Sequence, residues 1–304
     1  MQLSILECLE DSWRYQDKNV MIGLSGGINS AAVLVYLVNY VPKDEWPDVL
    51  HLYYAHFEEH SPDTMDFVLA LVKYAKDHFK KVVFEMTENS VNRYFIDAGM
   101  IPHPTRSTCT GILKIFPMAE YMHDNKIDVD LVGYVREDKS RIKRQKKYIE
   151  SKKKNRTGKG KAMKKKEHPI AHLSDEDCFS LVEKHLGPGV VPDIYKIKWN
   201  DKRIIPFLKC HKEFIPQDQY KVVMAYARAG YNIKKHSYRV FDHNNCLPCK
   251  NMQSWQLYMV KLFYPKKFER AIETAEQLGQ FWGRNADEMS RAGQDASCSF
   301  CQMD

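Results

Sequence analysis

The stretch that most constrains the fold is NVMIGLSGGINSAAVLVYLVNYV, starting at Asn19: an apolar run, a Ser-Gly-Gly turn, then apolar residues at helical spacing. It reads as strand, loop and helix. In that order, loop N–H groups and the helix N-terminus converge on one point, and glycine leaves no Cβ to obstruct an anion there. Ser25, Gly26, Gly27, Asn29 and Ser30 are therefore candidate phosphate contacts. The chain has no GxxxxGKS/T sequence, and no GxGxxG follows the strand. Neither a P-loop NTPase site nor a dinucleotide fingerprint accounts for the turn.

Further apolar runs predict strands at Val49–Tyr54, Lys81–Glu85 and Val129–Val132. Helices are expected from Ser61, where Ser61-Pro62 supplies an N-cap and a first-turn proline, and over Gly111–His123. Alternating strands and helices predict an α/β, Rossmann-like parallel sheet flanked by helices. Later segments read as helical: one opened by the Ser-x-x-Asp cap at Ser174, then Gln217–Ala229 and Trp255–Leu278. The expected organisation is a nucleotide-binding domain at 1–141, a basic insertion at 142–167 and a mainly helical C-terminal region at 168–304.

The net charge of +7 is concentrated in one place. Ile142 to Glu167 holds thirteen Lys or Arg against two Glu, a local +11 that leaves the rest of the chain at −4. Almost no apolar residue lies between Tyr148 and Ile170, so this segment cannot bury enough surface to fold alone, and a mobile loop is expected. It suits salt-sensitive contact with a nucleic-acid backbone, although Tyr148 is its single aromatic for base stacking. A solvated insertion, or a flap over the substrate, fits the same composition. No apolar run is long enough to span a membrane, and the acidic start, with Glu7, Glu10, Asp11 and Asp17, is unlike a signal peptide. A cytoplasmic, reducing compartment is expected.

Of eight cysteines, four form two CxxC pairs, Cys246/Cys249 and Cys298/Cys301, which would place a metal site in the C-terminal region. Four sulfurs so arranged suit a tetrahedral zinc or a 4Fe-4S cluster, and spacing does not choose between them. Cys109 stands between Arg106 and Lys114, an electropositive setting that favours thiolate and makes it a candidate nucleophile or sulfur carrier; a packing role is the alternative. Cys8, Cys178 and Cys210 read as small packing residues.

Ser25 to Ser30 resembles the SGGxDS signature of PP-loop proteins. Glu58 to Thr64 is similar to the TGxExPET segment of phosphoadenosine phosphosulfate (PAPS) reductases, Arg106 to Lys114 to their RxCxxxKxxP segment, and Gly133 to Arg141 to their GxRxxESxxR segment. Downstream, Ile205-Pro206-Phe207, the Cys246 region and Tyr264 to Glu269 resemble a PAPS reductase-like branch found in bacterial and phage genomes. The resemblance implies an ATP or PAPS site, magnesium with the nucleotide, and in many members cleavage of ATP to AMP and pyrophosphate. It assigns phosphate charge to Lys114, Arg136 and Arg141, with Gly133 in the same motif. Two departures are visible: Asn29 stands where the signature carries Asp, and the C-terminal ECG motif of PAPS reductases is absent. The expected activity is adenylylation of an acceptor with pyrophosphate release, in the service of sulfur transfer to nucleic acid. A sulfonucleotide reductase and a non-catalytic nucleotide- or nucleic-acid-binding module are the alternatives.

Overall fold

The computed structural model describes residues 15–102, 108–144, 147, 165–235, 237–244 and 246–282. Five strands, β1 Asn19–Leu24, β2 Val49–Phe57, β3 Val82–Asn89, β4 Val129–Leu131 and β5 Lys165–Glu167, form one sheet in the order β3-β2-β1-β4-β5. The expected parallel α/β sheet is present. β1 pairs in parallel with β2, Asn19 opposite Val49, and with β4, Val20 opposite Val129; β4 pairs in parallel with β5, Val129 opposite Lys165. β1 takes the centre because Val20, Met21 and Ile22 are wholly buried, as a strand covered on both faces requires.

Two compact units divide the described residues. The first comprises 15–55, 65–87, 117–144, 147 and 165–191 and contains nearly all of the sheet. Its helix α1, Ile28–Tyr40, is buried from Ala31 through Leu37, so it reads as apolar almost all round. α1 packs against a later helix, Asp175–Leu186. The tie from β5 back to the sheet is ionic: Lys166 Nζ lies 3.2 Å from Asp130 Oδ2, and burial raises the Asp130 carboxyl's pKa while Lys166 opposes the shift.

The second unit comprises 56–64, 88–102, 108–116, 192–235, 237–244 and 246–282. Its core is aromatic. Trp199, 1% exposed, meets the rings of Tyr226 and Trp255 at 5.4 and 5.7 Å, and Phe95 meets Trp282 at 5.4 Å. Helix Pro265–Gln277 packs on helix Val91–Asp97, where Thr274 Oγ1 donates to Asn92 Oδ1 at 3.2 Å between two buried side chains.

The structure redraws several predicted elements. The helix expected from Ser61 begins at Thr64, because Ser61 Oγ donates to Asp63 and Thr64 N bonds to Ser61 O, closing a turn ahead of it. The single helix expected over Trp255–Leu278 is two, Ser254–Phe263 and Pro265–Gln277, since Pro265 has no N–H with which to continue the first. The segment around Gly111–His123 is helical from Thr108 to Asp124, with a π-turn at Gly111–Ile115. Gln217–Ala229 is a helix with the expected bounds. Cys178 is fully buried, as a packing residue should be, whereas Cys210 is exposed; Cys8 lies outside the described residues. So do 145–146 and 148–164 of the basic insertion, whose end is β5. No helix among the described residues is long and apolar enough to cross a membrane.

The Ser174 cap forms as read. Ser174 Oγ accepts from Asp177 N at 3.1 Å, and Asp177 Oδ2 accepts from Ser174 N at 2.8 Å. Ser174→Ala should cost about 1 kcal/mol of stability, and Ser174→Thr much less, as read from urea-denaturation midpoints.

Candidate functional site

In the first unit, β1 ends at Leu24 and the chain turns through Ser25, Gly26 and Gly27 into α1. Gly26 has φ +71°, a left-handed conformation that glycine adopts without strain. The two serines of the motif close a ring of hydrogen bonds. Gly27 N donates to Ser25 Oγ at 3.2 Å, and Ser30 Oγ donates to Gly27 O at 2.9 Å. Because Ser30's one proton is committed to Gly27, Ser25 Oγ is the donor in its 3.0 Å bond to Ser30 Oγ. Ser25 N also donates to Ser30 Oγ, at 3.1 Å. The loop is thus held in shape by its own side chains.

No side chain caps α1, and no acidic residue lies in its first turn. Its leading N–H groups and the positive end of its dipole are left for an anion. Gly133, just past β4, backs the loop. A Cβ there would lie 2.7 Å from Asn29 O and 3.0 Å from Ser30 N, so only glycine allows this approach. Asn29 Nδ2 donates to Asp175 Oδ1 at 2.9 Å, a partner that sequence spacing did not point to.

Arg136 joins this neighbourhood through its backbone, N to Leu173 O at 2.8 Å, and its half-exposed guanidinium acts electrostatically on Asp177. Arg141 is engaged elsewhere: it bonds Asp138 at 3.1 Å and lies over the Tyr134 ring at 5.4 Å, which itself stacks on His168. For magnesium, the donor chemistry fits. Asp175 supplies a carboxylate and Asn29 an amide oxygen, both hard oxygen donors, beside the phosphate loop.

The second unit gathers the chemistry-bearing residues that sequence kept apart. Cys109, on a helical turn Thr108–Thr110, and Cys246 and Cys249, on the loop after Asn244, act on one another electrostatically. Burial, then Cys249, Glu59 and Cys109, push the Cys246 thiol well up, and Lys114 opposes them. Lys114, expected at phosphate, is placed in this group. Burial depresses its pKa, and Cys246 partly restores it. Lys250, 3% exposed, is lowered by burial and feels both Cys109 and Cys249; Lys267 is lowered likewise, with Glu59 and Cys246 opposing. Arg106, the other cation expected beside Cys109, lies outside the described residues.

Glu59 is the member that sequence reasoning missed. It is 4% exposed, and its Oε1 accepts from Ser90 Oγ at 2.9 Å and from Asn92 N and Nδ2 at 3.0 Å each. Among the described residues its buried Oε2 has no partner. The Glu59 carbonyl receives Leu247 N at 2.8 Å, fixing the loop that carries both cysteines. The signal lay in the Glu58–Thr64 segment, whose resemblance was visible while no role was attached to its carboxylates. His60 follows, buried, its pKa lowered to about 3 by burial and then by Lys114, His56 and Lys267.

Cys298 and Cys301, the other half of the expected four-cysteine set, lie outside the described residues. Among the described residues no group of three or more His, Cys, Asp or Glu is arranged to hold a metal ion, so the four-cysteine site is not shown. The pair Cys246 and Cys249, two sulfurs across a tight turn beside cationic lysines, has the donor chemistry for half of such a set.

Two outcomes follow. Gly133→Ala should cost about 1 to 3 kcal/mol in thermal unfolding, because the backbone it meets cannot step aside. His60 stays neutral in the fold to about pH 3 but protonates near 6.5 when unfolded, so its share of stability is whole above pH 6.5 and declines as pH falls toward 3. That decline is at most about 1.4 kcal/mol per pH unit, and urea melts of His60→Gln across this range should show a shallower slope.

A family model, the phosphoadenosine phosphosulfate reductase domain, matches residues 19–189. No curated protein sequence matches the chain. Among solved structures, the chain is similar to the U34-tRNA thiolase NcsA from Methanococcus maripaludis with its 4Fe-4S cluster, at 19% identity and a TM-score of 0.40, over 73% of this chain and 75% of that one. It is also similar to NMN synthetase from Francisella tularensis, at 14% identity and a TM-score of 0.34, over 83% of this chain and 86% of that one. With that domain spanning more than half of its length, and with the motifs of the PP-loop type in the family's order, the chain belongs to the phosphoadenosine phosphosulfate reductase domain family.

Proposed function

We propose that this protein is a PP-loop enzyme that binds ATP or a related adenine nucleotide, transfers AMP to an acceptor oxygen and releases pyrophosphate. The observation that carries the reading is the pre-shaped phosphate loop: the Ser25–Gly27–Ser30 ring, with the uncapped start of α1 behind it. Such a loop binds an anion with little further loss of conformational freedom. In the reaction, the acceptor oxygen attacks the α-phosphorus, the bond to the bridging oxygen of pyrophosphate breaks, and the adenylylated oxygen becomes a good leaving group. Ser25, Gly26, Gly27 and Ser30 hold the phosphates, Gly133 keeps the loop in place, and Arg136 supplies charge from the following segment. Magnesium, held by the nucleotide and hard oxygen donors, would supply charge neutralisation at the leaving pyrophosphate.

The thiols point the downstream chemistry toward sulfur. Cys109, grouped with Lys250, is the candidate nucleophile or sulfur carrier, and Lys114 is the lysine coupled to Cys246. Cys246 and Cys249, with Cys298 and Cys301, would hold zinc or a 4Fe-4S cluster; zinc would serve as a structural tie, and a cluster would add redox or sulfur-binding capacity. The acceptor class is nucleic acid, steered by the cationic segment at 142–167. A second reading, thiol-dependent reduction of a sulfonucleotide, is favoured by the grouping of Cys109 with Cys246 and Cys249.

The deciding experiment is calorimetry of ATP, AMP and PAPS on anaerobically purified protein, followed by pyrophosphate and sulfite assays with RNA and DNA as acceptors. ATP binding with acceptor-dependent pyrophosphate release is expected. Ser30→Ala, which opens the ring, should weaken ATP by about tenfold. Sulfite release from PAPS supports the reductive reading instead, and a chain that binds none of the three nucleotides is not this enzyme.

A further inference from the structure

The phosphate loop carries an amide at position 29, where its signature carries a carboxylate. A carboxylate nonetheless stands at that place, supplied from 146 residues away. Asp175 Oδ1 accepts from Asn29 Nδ2 at 2.9 Å. Both partners are fixed. Asn29's backbone is backed by Gly133, and Asp175 is the first residue of helix Asp175–Leu186, whose start is set by the Ser174 cap. That helix packs along α1, so the two helix starts meet at the loop.

The first turn of Asp175–Leu186 is acidic at Asp175, Glu176 and Asp177, and these three are not equivalent. Asp177 is committed to the cap, its Oδ2 taking Ser174 N at 2.8 Å and Ser174 Oγ at 2.6 Å. Glu176 is exposed. Asp175 is the one bonded to the loop. Its partner also has its orientation settled: with Nδ2 given to Asp175, the amide oxygen of Asn29 faces away from that bond as an acceptor.

A carboxylate beside an anion cradle is a liability for a bare polyphosphate, because like charges repel in a partly dehydrated site. A hard divalent cation reverses the sign. Magnesium is typically held by one or two carboxylates, phosphate oxygens of the substrate and water, which is the donor set that Asp175 and a bound triphosphate would form together. We propose that Asp175 is the magnesium-positioning carboxylate of the nucleotide site, supplying from a second helix the charge that position 29 lacks, with Asn29 as the amide that orients it. The assignment rests on the ATP reading above and deepens it, giving the cation's position to one carboxylate and the orienting role to Asn29.

The test is calorimetry of ATP in magnesium and in EDTA on four full-length proteins: wild type, Asp175→Asn, Asn29→Asp, and the exchange variant carrying both substitutions. Electron paramagnetic resonance of manganese, with and without ATP, reports the cation directly. Wild type should bind ATP about tenfold or more tighter with magnesium than in EDTA. Asp175→Asn should lose that gain while binding ATP in EDTA as well as wild type or better, since it removes the repulsion. The exchange variant returns a carboxylate to position 29 and keeps an amide–carboxylate pair, so it should recover the gain and the ATP-dependent manganese signal. Asn29→Asp, with two facing carboxylates, should bind ATP in EDTA more weakly than wild type.

If Asp175→Asn keeps the magnesium gain, or loses affinity equally in magnesium and EDTA, Asp175 only holds the loop in place and the assignment is wrong. An exchange variant that folds and binds ATP in EDTA without recovering the gain is also against it. Failure of wild type to bind ATP under either condition has a separate meaning: it removes the ATP reading itself and this assignment with it.

Discussion

The nucleotide half of the molecule depends on one close contact, the approach of Gly133 to the backbone of Asn29 and Ser30. It sets how near the segment after β4 can come to the start of α1. From that distance follow the position of Leu173, which receives Arg136 N, the Ser174 cap just beyond it, and the meeting of Asp175 with Asn29. The serine ring then needs only local bonds to keep the loop open. A single missing Cβ thus coordinates segments that lie far apart in sequence, which is why a small residue there carries more structural meaning than any one of the surrounding charges.

The second unit is organised by a different constraint, the burial of charge. Glu59 lies almost entirely out of water, and three donors on Ser90 and Asn92 converge on one of its oxygens. Lys267 feels its charge, and Lys114 and Lys250 feel the neighbouring thiols, each of the three with its ammonium form penalised by burial. Buried charges of both signs are tolerable only together, and the thiols of Cys109, Cys246 and Cys249 lie within that balance. The neutral ring of His60 reports the same field, held far below its ordinary pKa by its own burial and then by the lysines.

What the sequence made legible was local. The strand–loop–helix of Asn19 to Tyr40 could be read because its signal is contiguous, and so could the Ser174 cap, whose two reciprocal bonds span three residues. The start of the helix at Thr64 and the break at Pro265 were misread because turn chemistry at Ser61 and a missing N–H compete with apolar periodicity. The long-range pairings were beyond pattern reading. Cys109 acts on Cys246 although β4 and β5 lie between them in sequence, Asn29 meets Asp175 across 146 positions, and no spacing rule links either pair. Glu59 was hidden for another reason, since an acidic residue in an acidic segment gives no sign that it will be buried.

The end of the basic insertion has a bearing on how this sheet lives in a crowded solution. Among the described residues β5 is three residues long, Lys-Lys-Glu, and forms one edge of the sheet. Lys165 is 68% exposed and reaches Glu167 at 2.5 Å, while Lys166 turns in to Asp130. A foreign strand adding to that edge would find little length to pair with and would have to strip water from a lysine to do so. The edge therefore acts as a gatekeeper against self-association, placed beside a β4 strand whose three residues are all buried and which would otherwise offer an adhesive border.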